Sequence, residues 1–146
     1  MNHSKYLYQS EKDFLIYSFY SEGQKGRIQK MFIYSETATA GVYNLAFGDY
    51  NEANNSIDDL SISNNGDSLK TLATVASTVY AFTEKYTNAW ILATGSTKVR
   101  TRLYRMGISN NLYEISIDFN IYGYINETWE KFIVGENYET FLLTKK

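Results

Sequence analysis

Ser63-Asn64-Asn65-Gly66-Asp67-Ser68-Leu69-Lys70-Thr71-Leu72-Ala73-Thr74-Val75-Ala76-Ser77-Thr78-Val79-Tyr80 is where the chain changes period. Before it, apolar residues alternate with polar ones. After it, Leu72, Val75, Ala76, Val79, Phe82 and Tyr86 recur at steps of three and four. That is the apolar stripe of a helix, and it predicts one over 68–86. Asn64-Asn65-Gly66-Asp67 is a loop signal, with Asp67 as the expected N-cap. Thr71, Thr74, Ser77, Thr78, Glu84 and Lys85 supply the expected wet face. The many β-branched residues make this an average helix former, so packing must hold it.

Upstream, the period is two. Phe14, Ile16 and Phe19, with Tyr17 and Tyr20, predict a strand over about 13–21. Ser21 to Gly26 is a loop with two glycines. Ile28, Lys30, Phe32 and Tyr34 then alternate against Gln29, Met31 and Ile33, so the two strands form a hairpin. Val42 to Gly48 is a third strand. Ile57, Leu60 and Ile62 mark a fourth across the polar turn from Asp49 to Ser56. A four-stranded antiparallel meander is the economical topology.

Downstream, Ala89 to Thr94 is a short apolar strand, expected to be central. A second helix starts after Gly95, capped by Ser96 or Thr97, and runs to about Met106 with Gly107 as C-cap. Ser109 to Ile117 reads as a further helical segment, with Leu112 and Ile115 packing. Phe119 to Tyr124 and Trp129 to Val134 form a hairpin about Asn126-Glu127. Tyr138 to Leu143 is a short terminal element that neither period claims. The expected fold class is therefore α+β: a largely antiparallel sheet with two principal helices packed against it, in one domain over 1–146.

Composition narrows the function. The 146 residues are 44% hydrophobic and 21% charged, with no cysteine, no proline and one histidine, His3. Disulfide frameworks, thiolate metal sites, cysteine nucleophiles and histidine-based triads are excluded. Ser96 and Lys98 would diverge at a helix start, so a Ser–Lys pair is disfavoured. Fourteen tyrosines and eight phenylalanines are spread along the whole chain, which suits half-buried strands better than a local platform for stacking bases. The N-terminus has no apolar signal region, and no apolar run approaches the ~20 residues of a membrane helix. The expectation is a cytoplasmic protein with no membrane and no cofactor.

The net charge of −2 hides an uneven distribution. Residues 1–67 carry −4, residues 68–111 carry +5, and residues 112–146 carry −3. The positive charge concentrates in Lys98, Arg100, Arg102 and Arg105. On a helix, Lys98, Arg102 and Arg105 share one face, with Val99, Leu103 and Met106 as the neighbouring apolar stripe. Gly95, Ser96 and Thr97 precede them: a glycine for close approach, two hydroxyls and a helix N-terminus. Gly95, Ser96, Thr97, Lys98, Arg100, Arg102 and Arg105 are thus the candidate phosphate or anion site. The spacing is not that of a Walker A loop. The structural alternative is a solvated face paired with Glu114, Asp118, Glu127 and Glu130.

A second cluster is acidic, with Asp49, Asp58, Asp59, Asp67 and Glu52. Asp49 and Asp58 flank a proposed turn and are the weak candidates for a hard divalent metal. No metal-loop spacing matches, and turn aspartates ordinarily bond local backbone. A metal-free ribonuclease would use Arg102 and Arg105 to stabilise the phosphorane and Tyr104 for proton transfer.

Several segments carry a resemblance: Val42-Tyr43-Asn44-Leu45-Ala46-Phe47-Gly48-Asp49-Tyr50, Ile57-Asp58-Asp59, Ser63 to Asp67, and above all Ala73-Thr74-Val75-Ala76 through Gly95-Ser96-Thr97-Lys98 to Arg105. With these, the chain resembles an uncharacterised family of small hypothetical proteins common in Bacteroidota. The resemblance covers nearly the whole chain. It implies a bacterial, cytosolic origin and carries no activity. Three functions then compete: a module for nucleic acid or another phosphate ligand, a protein-interaction or homo-oligomeric assembly domain, and a small nuclease or toxin–antitoxin component.

Overall fold

A computed structural model describes residues 5–11, 13–51, 53, 56–58, 66–95 and 97–146. Its strands are β1 (Gln9–Ser10), β2 (Ile16–Gly23), β3 (Gly26–Glu36), β4 (Val42–Asn51), β5 (Ser56–Asp58), β6 (Trp90–Ala93), β7 (Phe119–Ile125), β8 (Thr128–Lys131) and β9 (Thr140–Lys145). Its helices are α1 (Ser68–Lys85), α2 (Lys98–Asn110) and α3 (Leu112–Asp118). The strands form one sheet in the order β1-β2-β3-β4-β6-β9-β7-β8, and β5 also pairs with β4.

The meander β2-β3-β4-β5 is antiparallel throughout, as the alternation predicts. The proposed fourth strand is backbone-paired only over Ser56–Asp58; Asp59, Leu60 and Ile62 lie outside the described residues. The hairpin loop is tighter than expected. Gly23 pairs with Gly26, leaving Gln24 and Lys25 as a two-residue turn, and Gly26 takes φ +89°. β4 and β6 are parallel, which requires a crossover, and α1 supplies it. β6 is central, and β9 inserts between β6 and β7. The element that neither period claimed is thus a strand inside the sheet.

One face of the sheet is covered. Tyr17 and Phe19, Phe32 and Tyr34, Leu45 and Phe47, Ile91, Ile121 and Phe141 point to it and form the core with Val75, Val79 and Phe82 of α1. Tyr34 and Phe82 stack with ring centroids 4.2 Å apart, which fixes α1 over the middle strands. There are three helices in the described chain rather than two principal ones; α3 is a separate seven-residue piece whose Ile115 is buried.

Two details of α1 depart from its sequence pattern. Thr71, Thr74 and Thr78 are buried, not wet. Thr74 Oγ1 donates to the Lys70 carbonyl and accepts the Tyr6 N–H, so the N-terminal segment lies across this side of the helix. Threonine hydroxyls that bond their own helix carbonyls can be buried without a loss of hydrogen bonding. Asp67 precedes α1, but its side chain makes no cap hydrogen bond. Its carboxylate instead accepts from Tyr6 Oη at 2.6 Å and from Ser21 Oγ, tying β2 to the start of α1.

Gly107 is not a C-cap either. α2 continues through it to Asn110, and a Cβ there would meet Leu72 at 3.0 Å. The glycine allows α1 and α2 to approach closely. No described helix is long and apolar enough to cross a membrane.

Candidate functional site

The parallel pair β4 and β6 ends where the first turns of α1 and α2 begin. That end of the covered face gathers Ser21, Lys30, Asp49, Asp67 and Arg100, all polar, in a layer that is otherwise aromatic and aliphatic. Cross-strand pairing explains the arrangement. Lys30 sits opposite Asp49 in the β3–β4 ladder, and Asp49 sits opposite Asp58 in the β4–β5 ladder.

Lys30 is 5% exposed, and its ammonium lies 2.6 Å from Asp49 Oδ1. Arg100 is also 5% exposed and places its guanidinium carbon 4.5 Å from the centroid of Phe47, two residues along β4 from Asp49. A buried cation over an aromatic face gains from the ring quadrupole. The Asp49–Asp58 neighbourhood foreseen from the turn is present in the backbone register. Asp49 meets an ammonium at hydrogen-bond distance there, and the Asp58 side chain lies outside the described residues. No group of three metal-type ligands occurs among the described residues.

α2 divides its charges between inside and outside. It docks through Arg100, Tyr104 and Ile108. The expected docking stripe of Val99, Leu103 and Met106 is displaced: Val99 is 46% exposed and Met106 37%. Helical geometry shows why. Arg100, Tyr104 and Ile108 are spaced four apart and lie opposite Lys98, Val99, Arg102 and Met106. The true docking row was hidden because its first member is an arginine. Lys98 and Arg102 are exposed and Arg105 is half-buried. Among the described residues, none of these three has a carboxylate within 4.0 Å. Residues 85–113 contain no Asp or Glu, so local pairing is excluded by composition. Of the expected partners, Asp118 accepts from Tyr80 Oη at 3.0 Å and Glu130 from Tyr138 Oη at 2.8 Å.

The residues before α2 have structural work. A Cβ at Gly95 would lie 2.2 Å from the Thr101 backbone nitrogen, so the loop presses directly on the first turn of the helix. Thr97 is the N-cap in an extended conformation, and its Oγ1 accepts the Arg100 N–H at 3.1 Å. Ser96 lies outside the described residues. Of the seven candidate anion-site residues, Lys98, Arg102 and Arg105 share the outer side. Arg100 faces the core, and Gly95 and Thr97 serve the helix start.

The resolved shifts in acidity are all phenols, and all run upward. Burial, then the bond to Asp118, pushes Tyr80 up to about 12. Burial, then Asp67, raises Tyr6, and burial, then Glu130, raises Tyr138. Burial alone is the main cause at Tyr17 and Tyr34. Tyr6, Tyr80 and Tyr138 donate to carboxylates, and phenols whose acidity is lowered in this way stay protonated and are poor bases at neutral pH. Tyr104 is buried against the core rather than beside Arg102 and Arg105, so the proposed ribonuclease trio is not brought together. The inward direction of Lys30 was legible in its alternation with Ile28, Phe32 and Tyr34. Its pairing with Asp49 needed the register.

Fold and site together define an α+β protein: among the described residues, a nine-stranded, mostly antiparallel sheet with three helices, one of which presents an outward basic side. The chain belongs to DUF6934, a family of unknown function whose model matches residues 2–146. No curated protein and no solved structure shows a significant match.

Proposed function

We propose that the outer side of α2 binds phosphates, most favourably those of a nucleic acid, in a bacterial cytosolic protein. The observation that carries this reading is the set of three cations, Lys98, Arg102 and Arg105, with no carboxylate among the described residues within 4.0 Å of any of them. Cations held on a rigid helix without internal partners attract an anion, and the seven steps from Lys98 to Arg105, at ~1.5 Å each, span about 10 Å of helix. That length suits successive phosphates of one strand. Val99 and Met106 are exposed on the neighbouring stripe and offer apolar contact to sugars or bases. The reading is binding rather than turnover, because Tyr104 is turned to the core and the shifted phenols hold their protons.

Fluorescence anisotropy with labelled single- and double-stranded DNA and RNA tests it, with salt stepped from about 50 to 200 mM. Three phosphate contacts on a duplex predict a slope of log K against log salt near −2.7, at ~0.9 per contact. Removing Arg102 and Arg105 together should flatten the slope by about two. Unaltered binding by that double variant, or no binding at the lowest salt, sinks the proposal.

A further inference from the structure

The second face of the sheet has no described element over it. All three helices and the N-terminal Tyr6 and Tyr8 pack on the covered face. The outward positions are nonetheless apolar where the strands meet. Ile33 pairs with Ile16 on one side and with Ala46 on the other. Leu92 pairs with Leu142, and Leu142 with Tyr122. Trp90 is 36% exposed and its ring stacks near Tyr122.

Charge is the second observation. No outward position of β3, β4, β6, β9 or β7 between Gln29 and Ser35, Val42 and Gly48, Trp90 and Leu92, Thr140 and Thr144, or Asn120 and Tyr124 is charged. The polar residues there are Ser, Thr, Asn and Gln. Among the described residues, the charged outward positions stand at the rim, with Glu22 and Arg27 at the β2–β3 hairpin and Lys131 on β8. In a monomer whose other surfaces carry the charge, a contiguous neutral face of this size is unusual.

We propose that this face is the interface of a homodimer, with a second copy of the chain stacked face to face. Three arguments favour that occupant. A two-fold axis in the interface brings residues near it against their own copies, so a charge there would meet its like; this face has none. Two sheets of the same twist pack face to face at about −30°, with inner side chains interleaved. The size also fits. Strands β2 to β8 at ~4.8 Å spacing, with two to five outward residues each, span roughly 700 Å² in projection, near the about 800 Å² per partner of a stable interface. A nucleic acid is disfavoured on this face, because it carries no cation at its centre. The proposal is independent of the basic side of α2, which lies beyond the opposite face.

Sedimentation equilibrium from about 1 to 100 μM tests it, with tryptophan emission followed over the same dilution. The expected result is a species of twice 16.8 kDa that dissociates on dilution, with emission moving to longer wavelength as Trp90 becomes wet. Leu92→Lys and Ile33→Lys should each give a folded monomer, judged by an unchanged far-UV spectrum. Ile117→Lys, on the exposed side of α3, should leave the dimer intact. A wild-type monomer at every concentration overturns the proposal. So does a dimer that survives both face substitutions, or one that Ile117→Lys alone disrupts. Should a lysine variant fail to fold, the wild-type mass and emission shift still decide.

Discussion

Arg100 and Arg102 are two residues apart on one helix and serve opposite ends. Arg100 lies in the core over Phe47, close along β4 to the Lys30–Asp49 pair. Arg102 stands in solvent between Val99 and Met106. The inner charges arise from sheet register and bind β3, β4 and α2 into one layer. Of the outer charges, Lys98 and Arg102 are exposed and Arg105 half-buried, and none has a carboxylate partner among the described residues. A count of arginines along the sequence merges the two groups, and helix rotation separates them.

The largest expected effect lies on the inner side. Asp49→Ala removes the carboxylate beside a buried ammonium and should cost about 3 kcal/mol of stability. Urea unfolding reads this as a lower midpoint, and an unchanged midpoint would show that the inner pair is not structural. Gly95→Ala comes next. Its Cβ would press on Thr101, and overpacking of that kind costs about 2 kcal/mol. Were the glycine there for a ligand instead, anisotropy would change while the midpoint held. Thr97→Ala loses the cap on α2 and should cost about 1 kcal/mol. Arg102→Ala with Arg105→Ala should stay within about 0.5 kcal/mol of the parent, while the salt slope of binding flattens. A double variant that unfolds early would move these arginines to the inner class.

Alkaline pH gives the smallest effect. The Tyr80 phenol titrates near 12 in the folded chain and near 10 when unfolded. Its contribution is therefore fully present below pH 10 and is lost as pH rises through about 12. Tyr80→Phe should remove that part of the alkaline decline. Midpoints measured between pH 9 and pH 12 would show it, and parallel declines in parent and variant would refute the assignment.

Much of this architecture could be read in the chain. The meander, α1 and the β7–β8 hairpin each repeat one period over many residues. β9 could not be read, because Thr140-Phe141-Leu142-Leu143 fits a strand or a helical turn equally well until β6 and β7 flank it. The parallel pairing of β4 with β6 is long-range and leaves no local trace. Lys98, Arg102 and Arg105 share a side of α2, as their helical spacing implies. The membership of Arg100 and the direction of docking were not legible, because a buried arginine looks like a surface one. Thr74 and Thr78 of α1 misled for the same reason: their hydroxyls are buried against carbonyls of their own helix.

The position of β9 has a consequence for synthesis. Its neighbours β6 and β7 are translated well before residues 140–145. Until that segment emerges, each of them has an edge with no partner, and the β7–β8 hairpin has no bridge to the strands from β1 to β6. A ribosome that stalled before residue 140 would hold two half-sheets with open edges, the arrangement most prone to pairing with another nascent chain. The order in which the strands are made is the reverse of what would protect them.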